Sequence, residues 1–169
     1  MRARILMQVT EICSALSRSE STFGGNKMQV KVKKLHVEAI MPVYATAGAA
    51  CFDLHALEDG EVGACSRGVA RTGLSFEVPA GHVMLVYSRS GHGFKHGVRL
   101  ANSVGVIDSD YRGEVSIGLR NDSPLRFDYK AGDRLAQAMI LPVPMVELVE
   151  VEELSDTERG TGGFGSTGK

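Results

Sequence analysis

Asn102, Asp108, Asp110, Tyr111 and Arg112 fall within one short run, ANSVGVIDSDYRGEV, the densest set of reactive side chains in the sequence. A carboxamide such as Asn102 presents a donor and an acceptor together, which suits the polar edge of a pyrimidine. A buried carboxylate such as Asp108 can orient and deprotonate a water, and Tyr111 can pack flat against a sugar ring. The run reads as a β-hairpin. It equally fits a hairpin whose Asp-Ser-Asp does no more than make the turn.

A second segment, SRSGHGFKHG, sets Arg89, Ser90 and Gly91 at the start of a predicted short helical turn over 90–96. Helix starts offer unpaired N–H groups and a positive dipole end to an anion. Arg89 and the Ser90 hydroxyl reinforce that, although Ser90 also suits an ordinary cap. His92 and His96 are four apart and could share a face as metal ligands, yet no third ligand is near them in the sequence.

The segment RGTGGFGSTGK contains G-x-G-x-x-G at Gly160, Gly162 and Gly165, and G-x-x-x-x-G-K from Gly163 to Lys169. Neither pattern has its context. The dinucleotide fingerprint needs a strand before it and a helix after it, and the P-loop needs a Ser or Thr after its Lys. What remains is a run of small residues whose N–H groups can wrap a phosphate, with Arg159 as a charge and Phe164 as an aromatic plate.

The elements that must position these groups are mostly strands. Beyond Met28 the hydrophobic period is two: Val30 and Val32 alternate with lysines, and 69–78 and 83–87 are further strand candidates. Clusters of Gly, Pro, Asn and Asp separate them closely (EDGEVG, VPAGH, NDSP, YKAGDR), which predicts an all-β jelly roll, sandwich or barrel. Upstream, Ile5, Val9, Ile12 and Leu16 suit a short amphipathic helix over 2–17, followed by a Ser- and Gly-rich linker. The expected organisation is an extension over 1–27, one domain over 28–154 and a flexible glycine-rich arm over 155–169. At 169 residues and 18.1 kDa the chain is the size of one domain.

Nineteen Lys and Arg against twenty Asp and Glu leave a net charge of −1, so no global basic field exists to hold a nucleic-acid backbone. No apolar run approaches the roughly 20 residues that cross a bilayer. Cys13, Cys51 and Cys65 are odd in number and lack C-x-x-C spacing, which suits plain thiols rather than a disulfide framework or zinc knuckle. The expected compartment is the cytoplasm.

Five segments, in order, resemble the five sequence motifs of the trimeric deoxyuridine triphosphatase (dUTPase) family: AACFDLHA from Ala49, SRSG from Ser88, NSVGVIDSDYRGEV from Asn102, AGDRLAQAMI from Ala131 and RGTGGFGSTG from Arg159. The resemblance covers Met28 to Lys169. It implies a β jelly roll assembled as a homotrimer, with each active site built from three chains. It implies that Asn102 and the hairpin backbone at Gly105, Val106 and Ile107 pair with uracil, excluding cytosine by hydrogen-bond pattern and thymine by its methyl. Tyr111 would lie under the deoxyribose, leaving no space for a 2′-hydroxyl, and Asp108 would activate the water that attacks the α-phosphorus. Arg89, Ser90, Gly91 and Gln137 would hold the phosphates. From the arm, Arg159, Ser166 and Thr167 would meet the γ-phosphate while Phe164 covers the base, with Gly165 among the substrate-binding residues. The resemblance also implies Mg2+, with Asp53 supporting it through water or bracing the site.

Two residues depart from the family pattern: Cys51 stands where A-G-x-D-L has Gly, and His92 replaces the usual Leu after SRSG. Both are expected to affect local packing rather than to touch substrate. A related enzyme of the same fold, dCTP deaminase, expects R-S-S at 89–91 and a catalytic Glu where this chain has Gly118. A non-catalytic nucleotide-binding regulator is the other alternative.

Overall fold

The computed structural model describes residues 28–166. The amphipathic helix expected over 2–17 lies outside them, as does Thr167. Eleven strands and one helix make up the described residues, so the all-β, jelly-roll-like expectation holds. In chain order they are β1 (Lys31–Lys34), β2 (Phe52–His55), β3 (Gly60–Val62), β4 (Arg67–Ala70), β5 (Leu74–Glu77), β6 (His82–Ser88), α1 (Ser90–His96), β7 (Val98–Leu100), β8 (Val104–Ile107), β9 (Ile117–Asn121), β10 (Phe127–Tyr129) and β11 (Arg134–Pro142).

All pairings are antiparallel. A four-stranded sheet runs β2-β11-β6-β8 and a three-stranded sheet β4-β9-β7, while β1 pairs with β5 and β3 with β10. Alternation decides which face is buried: in β9, Ile117, Leu119 and Asn121 point inward and Gly118 and Arg120 are half-exposed. The core gathers Leu54, Leu74, Met84, Ile117 and Leu119 with smaller side chains from nearly every strand. Asn121 is the buried polar exception, its carboxamide bonded to the carbonyls of Val62, Gly63 and Leu125, so its polar atoms are not left unpaired.

Two local expectations need correction. The segment 69–78 is not one strand, because Thr72 and Gly73 turn aside: Thr72 Oγ1 donates to the Val115 carbonyl and the Gly73 N–H to Glu114 Oε1, so β4 and β5 join different sheets. Nor is the run after Asn102 a hairpin. The strand β8 pairs with β6, whereas β9, next in the chain, pairs with β4 and β7, and 108–116 is the loop that crosses between the two sheets.

Candidate active site

The longest strand, β11, organises one half of the site. Its Gln137 stands opposite Asp53 of β2 on one side and Tyr87 of β6 on the other. Near its start the register shifts between Arg134 and Ala136, the kind of bulge that re-aims a side chain. Arg134 thereby reaches Asp53, with Nη1 3.1 Å from Oδ2. On the other carboxylate oxygen, Arg89 Nε lies 3.3 Å from Oδ1. Asp53 is only 8% exposed, so this bridged pair of guanidiniums compensates a buried charge.

Arg89 is the N-cap of α1 and also donates from Nη1 to the Arg134 carbonyl at 3.0 Å. Ser90 is therefore the first helical residue rather than the cap, and no side chain caps the helix. The helix closes with Lys95 and His96 in its last turn, and Gly97 N–H bonds back to the Gly93 carbonyl. Gln137 donates from Nε2 to the Ser88 carbonyl at 3.1 Å. Between α1 and β11 opens a pocket of about 290 Å³ lined by Arg89, Ser90, Gly91, His92, Lys95, His96 and Gln137. A donor-rich wall of this kind, with guanidinium and ammonium groups, selects an anion.

The second half lies around β8. A pocket of about 380 Å³ is lined by Val106, Ile107, Asp108, Tyr111, Glu114, Val115 and Ser116. The loop beneath it is pinned by its own bonds: Tyr111 N–H to the Asp108 carbonyl, Tyr111 Oη to the Glu114 carbonyl, Arg112 Nη1 to the Ser109 carbonyl, and Ser75 Oγ to the Arg112 carbonyl. The Tyr111 ring lies so close over Gly113 that a Cβ there would collide with its hydroxyl. Asn102 is close to Gly105, where a Cβ would meet Val86 at 3.1 Å and come within 3.9 Å of the Asn102 Nδ2. Asp108 was expected to be buried. On the single chain it is exposed, as are Asp110 and Tyr111.

The described part of the arm lines neither pocket. Arg159 Nε donates to the Gly162 carbonyl at 2.8 Å within the arm's own turn, and Phe164 and Ser166 are exposed. Over the described part of the glycine pattern, 160–166, there are turns and neither strand nor helix. The structure thus groups Arg89, Ser90, Gly91 and Gln137 with Asp53 beside them, and groups Val106, Ile107, Asp108 and Tyr111. The two pockets share no lining residue.

The dUTPase family model matches residues 37–168. The chain belongs to the dUTPase family. It is 52% identical to a deoxyuridine 5′-triphosphate nucleotidohydrolase of Nautilia profundicola over 142 residues, covering 84% of this chain and 100% of that protein. To the protein of the same name from Helicobacter hepaticus it is 47% identical over 141 residues, covering 83% of this chain and 89% of that one. Among solved structures, the dUTPase of Staphylococcus bacteriophage 80alpha with dUpNHpp superposes with a TM-score of 0.75 at 30% identity, covering 83% of this chain and 99% of that one. A mutant dUTPase from phage phi11 of S. aureus, described with a structural Mg(II) ion, gives 0.70 at 25% identity, covering 75% and 98%.

Among the described residues no three metal-ligating side chains converge on one point. Both oxygens of Asp53 are already engaged: Oδ2 accepts from Arg134 Nη1 and Oδ1 is ion-paired with Arg89. Asp53 is a brace for Arg89 and Arg134. The motif reading missed Arg134, although it lies in the quoted AGDRLAQAMI segment, and it missed Lys95, His96 and His92 as pocket wall. Among the described residues, no helix is long and apolar enough to cross a membrane.

Proposed function

We infer that this chain is a dUTP diphosphatase: it hydrolyses dUTP to dUMP and pyrophosphate, removing dUTP and supplying dUMP. The observation that carries the reading is the pairing of a cationic, donor-lined pocket at Arg89 with a separate carboxylate-bearing pocket at Asp108 on a dUTPase fold. Arg89, Ser90, Gly91 and Gln137 seat the phosphate chain. Asn102 with the β8 backbone at Gly105, Val106 and Ile107 reads the uracil edge, and Tyr111 supports the deoxyribose. Asp108 takes a proton from water as the water oxygen bonds to the α-phosphorus and the bond to the β-phosphate bridging oxygen breaks. Pyrophosphate leaves with the electron pair. Magnesium, which keeps most of its waters when bound, would enter with the substrate and supply charge neutralisation at the phosphates, while Asp53 stays with Arg89 and Arg134.

The working form is a homotrimer with shared sites. Three facts support this: the two pockets share no wall, the described part of the arm lines neither, and Met145, Val146, Leu148, Val149, Val151 and Leu154 form an exposed apolar run between β11 and the arm. The arm's Arg159, Gly165, Ser166 and Thr167 would meet the γ-phosphate on a neighbouring copy, and Phe164 would cover the base. A deaminase would need a carboxylate near position 118. There Gly118 lies in β9, where its carbonyl accepts from Ala101 N–H, and it has no side chain to offer. The deciding experiment is pyrophosphate release from dUTP beside dCTP, dTTP and UTP. Discrimination of about 10⁴ is expected of a site that hydrogen-bonds a polar edge, and turnover of dCTP comparable to dUTP would overturn the assignment.

A further inference from the structure

His92 lies in the wall of the Arg89 pocket with its ring held on two sides. Its Nε2 is 2.8 Å from the Arg134 carbonyl oxygen, the oxygen that also accepts from Arg89 Nη1 at 3.0 Å. A carbonyl can only accept, so Nε2 is the ring nitrogen that carries hydrogen. The ring meets Phe127 edge-on, with centroids 5.3 Å apart and planes at 75°, which restrains its orientation. The Arg134 carbonyl is thus fixed by two donors at once, while the Arg134 and Arg89 guanidiniums share Asp53. Through one backbone oxygen, His92 is coupled to the guanidinium assigned to the phosphates.

We propose that His92 is a positioning residue for the triphosphate: its Nε2–H holds the Arg134 carbonyl that also accepts from Arg89, and so fixes that guanidinium in the pocket wall. The inference rests on the reading of that pocket as the phosphate seat. A leucine, the usual residue at this place in the resembling pattern, has no donor to offer the carbonyl. Asp53 of β2 holds the Arg89 and Arg134 guanidiniums from the other side.

The test is initial-rate pyrophosphate release from Mg-dUTP for wild type, His92→Leu and His92→Gln. A glutamine amide can donate to the Arg134 carbonyl and a leucine cannot. His92→Leu should raise KM about three- to five-fold with kcat within about two-fold, the size of one partly exposed hydrogen bond, while His92→Gln should keep the wild-type KM. A wild-type KM in His92→Leu, an equal rise in His92→Gln, or a loss confined to kcat would overturn the proposal. A wild-type chain that releases no pyrophosphate from dUTP would take down the dUTPase reading itself, an outcome distinct from a silent His92.

Discussion

The pocket at Arg89 and the pocket at Asp108 are built to different degrees by a single chain. On the Arg89 side, the groups assigned to phosphate are already tied: Asp53 bridges two guanidiniums, the Arg134 carbonyl accepts twice, and Gln137 is bonded to Ser88. On the Asp108 side the loop backbone is pinned, but Asp108, Asn102 and Tyr111 are exposed to solvent. A preorganised anion seat gains because its donors need no reorganisation when charge arrives. A carboxylate that must accept a proton gains from exclusion of water, and on the single chain Asp108 is exposed. The first half is tied within one chain, whereas under the proposed homotrimer the second would be completed by neighbouring copies.

The largest effect should come from the open half. Asp108→Asn should lose about 10² to 10⁴ in kcat, the usual contribution of a positioned base, while binding of a dUTP analogue persists. Asp110→Asn should be milder, and a reversal of the two losses would move the base to Asp110. Next in size is the arm: a chain ended after Ser155 should fold and assemble yet lose at least about ten-fold in turnover, because charge-assisted bonds to the γ-phosphate are gone. Mixing that truncated chain with Asp108→Asn should restore activity in verified heterotrimers, since some sites then draw an intact carboxylate and an intact arm from different copies. If nothing returns, Asp108 and its arm act in one chain and the contrast between the halves collapses.

Smaller effects test the closed half and the loop. Asp53→Asn keeps the shape but leaves Arg89 and Arg134 facing each other without a counter-charge. It should cost about 1 to 3 kcal/mol in stability and raise KM for dUTP, read by urea denaturation and initial rates. Gly113→Ala should push Tyr111 aside, because the added Cβ collides with the ring. A several-fold rise in KM and weaker rejection of UTP are expected, measured as the ratio of kcat/KM for dUTP and UTP. An unchanged ratio would separate Tyr111 from sugar selection.

How much of this was legible in the sequence follows the range of the interactions. Strands β1 and β6, the helix at 90–96 and the all-β class were readable because alternation and Gly/Pro punctuation are local. The expected hairpin failed because β8 finds its partner in β6, an edge that no neighbouring residue encodes. The strand at 69–78 failed because Thr72 and Gly73 bond to the distant 114–115 loop. In the site, residue types pointed to Arg89, Asp108 and Tyr111. The backbone oxygen of Arg134 was invisible, since every residue has a carbonyl and only the fold decides which one two donors share. His92 consequently read as a packing change.

The smallest effect concerns His55, the half-buried neighbour of the anion seat. It stands on β2 two residues from Asp53 and opposite Arg134, and its Nδ1 is buried without a hydrogen-bond partner among the described residues. Burial pushes its pKa below the ordinary 6.5, and the Arg134 and Arg89 charges act in the same direction while Asp53 opposes them. The folded chain therefore takes up this proton at lower pH than the unfolded chain. Below about pH 6.5, down to the depressed folded value, the unfolded state holds more protons, so the free energy of unfolding falls as pH falls. Above that window His55 contributes no slope. The carboxylates held low by their partners, such as Asp122 beside Arg120 and Arg99, lose their contribution only at more acid pH and do not overlap it. Wild type should accordingly lose urea resistance between pH 7.5 and pH 5.5 at one fixed protein concentration, and His55→Phe should lose less. Asp53→Asn should steepen the loss, because Asp53 is the group that favours the protonated ring. An equal loss in wild type and His55→Phe would place the acid sensitivity outside the seat, and the two halves would then differ in solvent exposure alone.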